Sequence, residues 1–270
     1  MRIGDVSLHS IPRGHATLCP PYGSLEHAMN NSYDTVGSLP EYLSRVEESY
    51  TGRYSALFRG HRCDDWDLTP RIARTRFRRR YTSVQEAERR MLDEFERQST
   101  PHIGNRYMAS AWDRLAIAQH HGLPTRLLDW TTNPLVALWF AVEMPPERGK
   151  DAAVWAFDGE ESDYANVDED PFALPKTLIY RPRHLDARIV AQSGWFTIHK
   201  FMNEKGRFSP LNKIPSQKAR LRKLIIPKQY FAALRHDLAR CGISKATLFS
   251  DLSGLCGAIT WRFSPLDDEH

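Results

Sequence analysis

Cysteine is scarce in this chain: four among 270 residues, Cys19, Cys63, Cys241 and Cys256, with no C-x-x-C pair. That spacing excludes a disulfide scaffold and a cysteine-built zinc cluster, and it fits reduced thiols in a cytoplasmic protein. No apolar run reaches the roughly 18 to 20 residues a membrane helix needs, so no membrane partner is expected. The N-terminal stretch lacks the basic segment and apolar core of a secretory signal. There is no Gly-rich phosphate loop, no G-x-S-x-G elbow and no H-E-x-x-H, which sets aside P-loop kinases, α/β-hydrolases and zinc peptidases. Internal repeats are lacking as well. The net charge of +4 is too mild to mark a nucleic-acid binder by itself.

The basic residues are not evenly spread, however. Arg71, Arg74, Arg76, Arg78, Arg79 and Arg80 fall within ten positions. Such a run is either a solvated face or an anion-collecting patch for nucleic acid or a nucleotide phosphate.

Patterning predicts strands interspersed with helices: an α/β or α+β fold with one mixed sheet flanked by helices. Residues 1–37 read as an irregular arm and 38–270 as the domain. Helices are expected from Ser38, from Ser83 to about Gln98, from Ser110 to His120, after Thr131 as cap, and from about Gln229 to Gly242. Strands are expected at Ser55–Phe58 (stopping at an Arg-Gly turn), Thr125–Trp130, Ala152–Phe157 and Leu221–Ile226. Arg188–His199 reads as a long extended segment broken at Gly194. Leu252–Ile259 reads as a last helix or turn, and the acidic stretch Gly159–Pro171 as an exposed loop.

Polar side chains inside or beside apolar runs are the candidate site residues, because burying them without partners costs a few kcal/mol each. Arg59, at the end of a strand and followed by Gly60 and His61, suits bidentate phosphate recognition, with an internal salt bridge to Asp129 as the other reading. The stretch Gln119-His120-His121-Gly122-Leu-Pro124-Thr125-Arg126-Leu-Leu-Asp129-Trp130-Thr131 crowds polar groups at a helix-to-strand junction. It reads as a site or as a structural network. Arg126 and Asp129 face opposite sides of a strand, so each needs its own partner. Adjacent histidines on a helix cannot easily share one ion, and no metal is expected. Thr131-Thr132-Asn133-Pro134 opens a helix whose first N–H groups favour an anion. Gln192 precedes Gly194, which marks a bulge or a close approach by a ligand.

Phe58-Arg59-Gly60, the Gln119–Thr131 motif, Asn133-Pro134 with Ala137, Phe140 and Ala141, Gln192-x-Gly194-x-Phe196 and Leu248-Phe249-x-Asp251 together resemble the FRG domain of bacterial and phage proteins, over about residues 38–260. A second resemblance is to ADP-ribosyltransferases of the Arg-Ser-Glu class, which implies a split sheet and NAD as substrate. Arg59-Gly60 is similar to that class's first element, and Trp130-Thr131-Thr132-Asn133-Pro134 to its second. At its third, Gly194 stands where the class carries glutamate. The resemblance implies that Arg59 holds the NAD pyrophosphate, with Phe58, Gly60, His61, Gln119 and Arg126 around the nucleotide. It implies also that Trp130 and Thr131 line the nicotinamide pocket and that Gln192 meets ribose or amide. Asp129 or His120 would supply the chemistry, with Asp251 as the next carboxylate. A nucleic-acid or protein acceptor would dock at Arg71–Arg80. The company such domains keep suggests a toxin or phage-defence role. The alternative is a non-catalytic module for nucleotide or nucleic acid.

Overall fold

Serine and proline set the first helix. The Ser38 side chain accepts from the Glu41 amide, and Pro40 sits in the first turn, where its missing N–H leaves nothing unpaired. The computed structural model describes residues 34–49, 56–103, 110–183 and 187–269. In chain order these form β1 (Asp34–Thr35), α1 (Leu39–Glu48), β2 (Ala56–His61), α2 (Arg71–Arg74), α3 (Val84–Ile103), α4 (Ala111–His120), β3 (Leu127–Thr131) and α5 (Pro134–Val142). There follow β4 (Ala152–Asp158), β5 (Leu178–Tyr180), α6 (Ala187–Ala191), β6 (Gly194–Ile198), β7 (Phe201–Met202), β8 (Arg207–Phe208) and α7 (Pro215–Lys218). The last elements are β9 (Leu221–Ile226), α8 (Phe231–Arg240), α9 (Lys245–Leu248) and α10 (Leu252–Phe263).

Seven strands make one sheet in the order β1-β9-β4-β2-β3-β6-β5, and β7 pairs with β8 apart from it. The β1–β9 pair is parallel and the other pairs are antiparallel, so the fold is α+β on a mixed sheet. Apolar residues run almost without break through β4 and the first half of β2, as a sheet covered on both faces requires. One face of β2, β4 and β9 packs Ala56, Phe58, Val154 and Leu224 against α1, α5 and α8. The same face of β3 and β6 packs Leu127, Phe196 and Ile198 against Trp112 and Leu115 of α4. The opposite face gathers Leu57, Leu128, Trp130, Trp155 and Phe157 under Leu68 and Leu211. Among the described residues no helix is long and apolar enough to cross a membrane.

Six expectations change on folding. β2 does not stop at Arg-Gly but runs on through Gly60 to His61, paired along its whole length with β4. Thr131 does not cap α5; Asn133 does, its side chain accepting from the Leu135 amide at 2.9 Å. The extended segment at Arg188–His199 is in fact α6, a tight corner at Ser193 (φ 48°) and then β6. α3 runs past Gln98 to Ile103. The acidic loop folds its Asp163 inward, where Arg220 and Lys176 pair with it. Asp34–Thr35, expected in the N-terminal arm, forms the parallel edge strand; residues 1–33 and Ser55 lie outside the described residues.

Candidate functional site

The junction between α4 and β3 is built from local chemistry. Ser110 caps α4 by accepting from the Asp113 amide at 3.1 Å. Gly122 ends it with φ +86°, a left-handed conformation that side chains with a Cβ disfavour. The chain then turns through Pro124 into β3. Thr125 is buried at this corner; its hydroxyl accepts from the Leu127 amide (3.1 Å) and donates to Gln119 Oε1 (2.8 Å). That bond fixes which way the Gln119 amide points. Its Nε2 then donates to both carboxylate oxygens of Asp129, at 3.2 and 3.1 Å.

Arg59 approaches the same carboxylate from β2. Strands β2 and β3 are paired at Phe58–Thr131. One residue on, the Arg59 guanidinium reaches across, donating Nη1 to the Asp129 carbonyl at 2.6 Å and lying 3.6 Å from its carboxylate. Its Nε donates to His61 Nε2 at 3.0 Å, so that nitrogen accepts and the imidazole is neutral. Burial, with Arg59 alongside, holds the His61 pKa well below its ordinary value. Burial also lowers Arg59, against the pull of Asp129, and Arg74 adds like charge from α2. The pair is open on one side: the Asp129 side chain is 57% exposed and that of Arg59 19%. The arrangement is an accessible carboxylate held by an amide and a guanidinium, with further arginine charge beside it.

Other candidates are placed elsewhere. Phe58 is a core residue under α1, α5 and α8. Gly60 leaves no room for a ligand, because α5 fills it: a Cβ there would stand 2.0 Å from the Ala137 carbonyl oxygen and 2.7 Å from the Ala141 nitrogen. Arg126 is buried and bidentate to Glu88, with Phe172 and Phe208 against its guanidinium. It and Asp129 do have separate partners. Trp130 is buried against Phe157 and donates its Nε1–H to Thr197 Oγ1 at 3.0 Å. Thr131 is buried too, donating to the Gln192 carbonyl at 2.6 Å and accepting from the Asn133 amide. The Gln192 amide donates to the Leu248 carbonyl at 3.2 Å, so the Gln192–Gly194 and Leu248–Asp251 motifs meet each other and not Arg59. His120 lies edge-on to His121, centroids 4.9 Å apart. Asp251 caps α10.

Among the described residues, Cys63, Asp64 and Asp65 bring three metal-type ligand atoms within 4.8 Å of one another, and Lys150 pairs with Asp65 at 2.9 Å. A buried thiol beside two hard carboxylates, one of them neutralised, suits no common divalent site.

A residue not singled out in the sequence completes the polar layer. His199 is fully buried, its Nε2 3.3 Å from Thr197 Oγ1 and its Nδ1 3.4 Å from the Ser209 carbonyl. Burial takes its pKa down to about 4. Unfolded, it binds a proton near the ordinary value of about 6.5. Stability from His199 is therefore complete above that value and is lost as pH falls towards 4, by about 3 kcal/mol. His61 acts in the same direction. Urea midpoints measured between neutral pH and pH 4 should fall accordingly, and His199→Asn should remove about one proton of that slope. An unchanged slope in the variant would contradict the assignment.

No curated protein and no solved structure matches the chain. One family model does, and it spans β2, α4, the Gln119–Thr131 junction and α5: residues 54–150 match the FRG domain.

Proposed function

We propose that Arg59 and Asp129 form the centre of a site for NAD or a related nucleotide, where the bond between nicotinamide and ribose is broken. Arg59, with Arg74 near it, supplies positive charge for the pyrophosphate. As the N-glycosidic bond breaks, its electron pair leaves with nicotinamide and the ribose takes on oxocarbenium character. A carboxylate beside C1′ stabilises that charge. Water or an acceptor hydroxyl then bonds to C1′ and gives up its proton, which amounts to glycohydrolase or ADP-ribosyltransferase chemistry. The observation that carries this reading is the exposed Asp129 carboxylate, fixed by Gln119 and Arg59. Trp130, Thr131, Arg126 and Gln192, whose hydrogen bonds stay within the protein, serve as the frame of the site.

The test is release of labelled nicotinamide from NAD by the purified chain. Asp129→Asn keeps the shape and removes the charge, and should slow release about a hundredfold, since a lost electrostatic stabiliser typically costs that much. Arg59→Lys should act mainly on KM. If NAD neither binds nor is cleaved, the reading goes. The non-catalytic alternative is favoured by Gly194, which stands where the resembled class carries glutamate. Binding of NAD by calorimetry without release of nicotinamide would select it.

A further inference from the structure

Between Leu68 and Gln85 the chain carries six arginines and no acidic residue. Arg71, Arg74, Arg76, Arg78, Arg79 and Arg80 are all exposed. Among the described residues no carboxylate pairs with Arg76, Arg78 or Arg79. Two cavities adjoin this run, and Tyr81 lines both. The smaller, about 550 Å³, is lined by Arg78 and Arg79 with Thr82, Ser83 and Gln85. The larger, about 720 Å³, is lined by apolar Met91, Phe95 and Leu123 and by polar Arg90, Glu94, Gln98 and His121. The Arg80 guanidinium stands over the Tyr81 ring, 4.9 Å from its centroid, and donates to the Tyr81 hydroxyl, 2.8 Å away.

We propose that this face binds a single strand of nucleic acid, with successive phosphates on Arg78 and Arg79 and a base seated in the larger cavity against Tyr81. Phosphate recognition needs guanidinium groups without a carboxylate partner, which among the described residues Arg76, Arg78 and Arg79 provide. A base needs a ring to stack on and polar edges to meet, and the Tyr81 cavity offers both beside the phosphate positions. A duplex keeps its bases stacked inside and cannot enter the cavity without unpairing. An acidic polypeptide would meet the arginines and leave the cavity unused. Arg71 and Arg74 of α2 continue the positive charge towards Arg59.

The experiment is fluorescence anisotropy of the full chain with a labelled mixed-sequence strand, and separately its duplex, over a range of salt. Binding should weaken steeply with salt. Arg78→Ser with Arg79→Ser should reduce the log–log salt slope by about 1.4, at about 0.7 per phosphate of single strand. Tyr81→Ala should weaken binding about tenfold at an unchanged slope, while Tyr81→Phe, which keeps the ring, binds as the parent does. The proposal is overturned if polyglutamate binds as well as the strand. It is overturned too if the duplex binds as tightly and Tyr81→Ala changes nothing. None of these readouts uses NAD. Strand binding without nicotinamide release would sink only the Asp129 reading, and the reverse result only this one.

Discussion

Arg126→Met should lower the stability of the protein by about 3 to 5 kcal/mol, because it leaves the Glu88 carboxylate buried without its counter-charge. Both side chains are almost wholly out of solvent, and their contact is bidentate, with Nε and Nη2 of Arg126 on the two Glu88 oxygens at 2.7 to 3.1 Å. Glu88 also accepts the Arg126 amide, at 3.0 Å. The pair thereby ties α3 to the start of β3. In a chain of this length the loss should lower the thermal midpoint by about 10 °C. Adding Glu88→Leu to Arg126→Met should recover much of it, since two apolar groups of similar volume need no counter-charge. A single variant that melts like the parent would refute the pairing. A stable Arg126→Met chain that fails to bind nucleotide would return Arg126 to the ligand side of the ledger.

Gly60→Ala is the second large effect. The added methyl would stand 2.0 Å from the Ala137 carbonyl oxygen, well inside contact distance, and its neighbours are helix backbone with no rotamer to yield. α5 would have to move off β2, at a cost of about 3 kcal/mol or more. Arg59 sits on the residue before, so the displacement should also loosen its grip on the Asp129 carbonyl. Urea unfolding gives the first number, and nicotinamide release at saturating NAD gives the second. A parent-like midpoint would mean that α5 does not press on Gly60 in solution.

Much of the architecture was legible because it rests on neighbours in the chain. Ser38, Ser83 and Ser110 sit three residues before the amide each one accepts from, and all three helices begin there. Gly122 and Gly242 end α4 and α8 in the left-handed region, as their positions after periodic apolar stretches predict. Leu221–Ile226 appears as a strand with unchanged bounds, Pro227 stopping it. The polar crowding between Gln119 and Thr131 correctly marked a junction where side chains hold one another. What it did not reveal was which of them face outward. Trp130 and Asp129 are adjacent, yet one is core and the other solvent-exposed, since alternation along β3 turns them to opposite faces.

Partners far apart in sequence were beyond reach of any local pattern. Glu88 lies 38 positions from Arg126, and nothing in the spacing of α3 sets it apart from the helix's other glutamates. Arg235 of α8 is likewise buried against distant partners, donating to the Val142 carbonyl at the end of α5 and pairing with Glu269. The Gly60 position read as space for a ligand, because a glycine's missing side chain looks the same whether a helix or a nucleotide occupies the gap.

Caps, turns, apolar periodicity and the arginine run are properties of consecutive residues, and the chain's order alone determined them. Which guanidinium would be buried against a carboxylate and which would remain open to solvent depended on how β2 and β3 pair and on where α3 and α5 pack. Burial raises the cost of an unpaired charge. The fold therefore decided that Arg126 is a structural tie and that Arg59 lies beside a carboxylate, that of Asp129, which stays exposed to solvent.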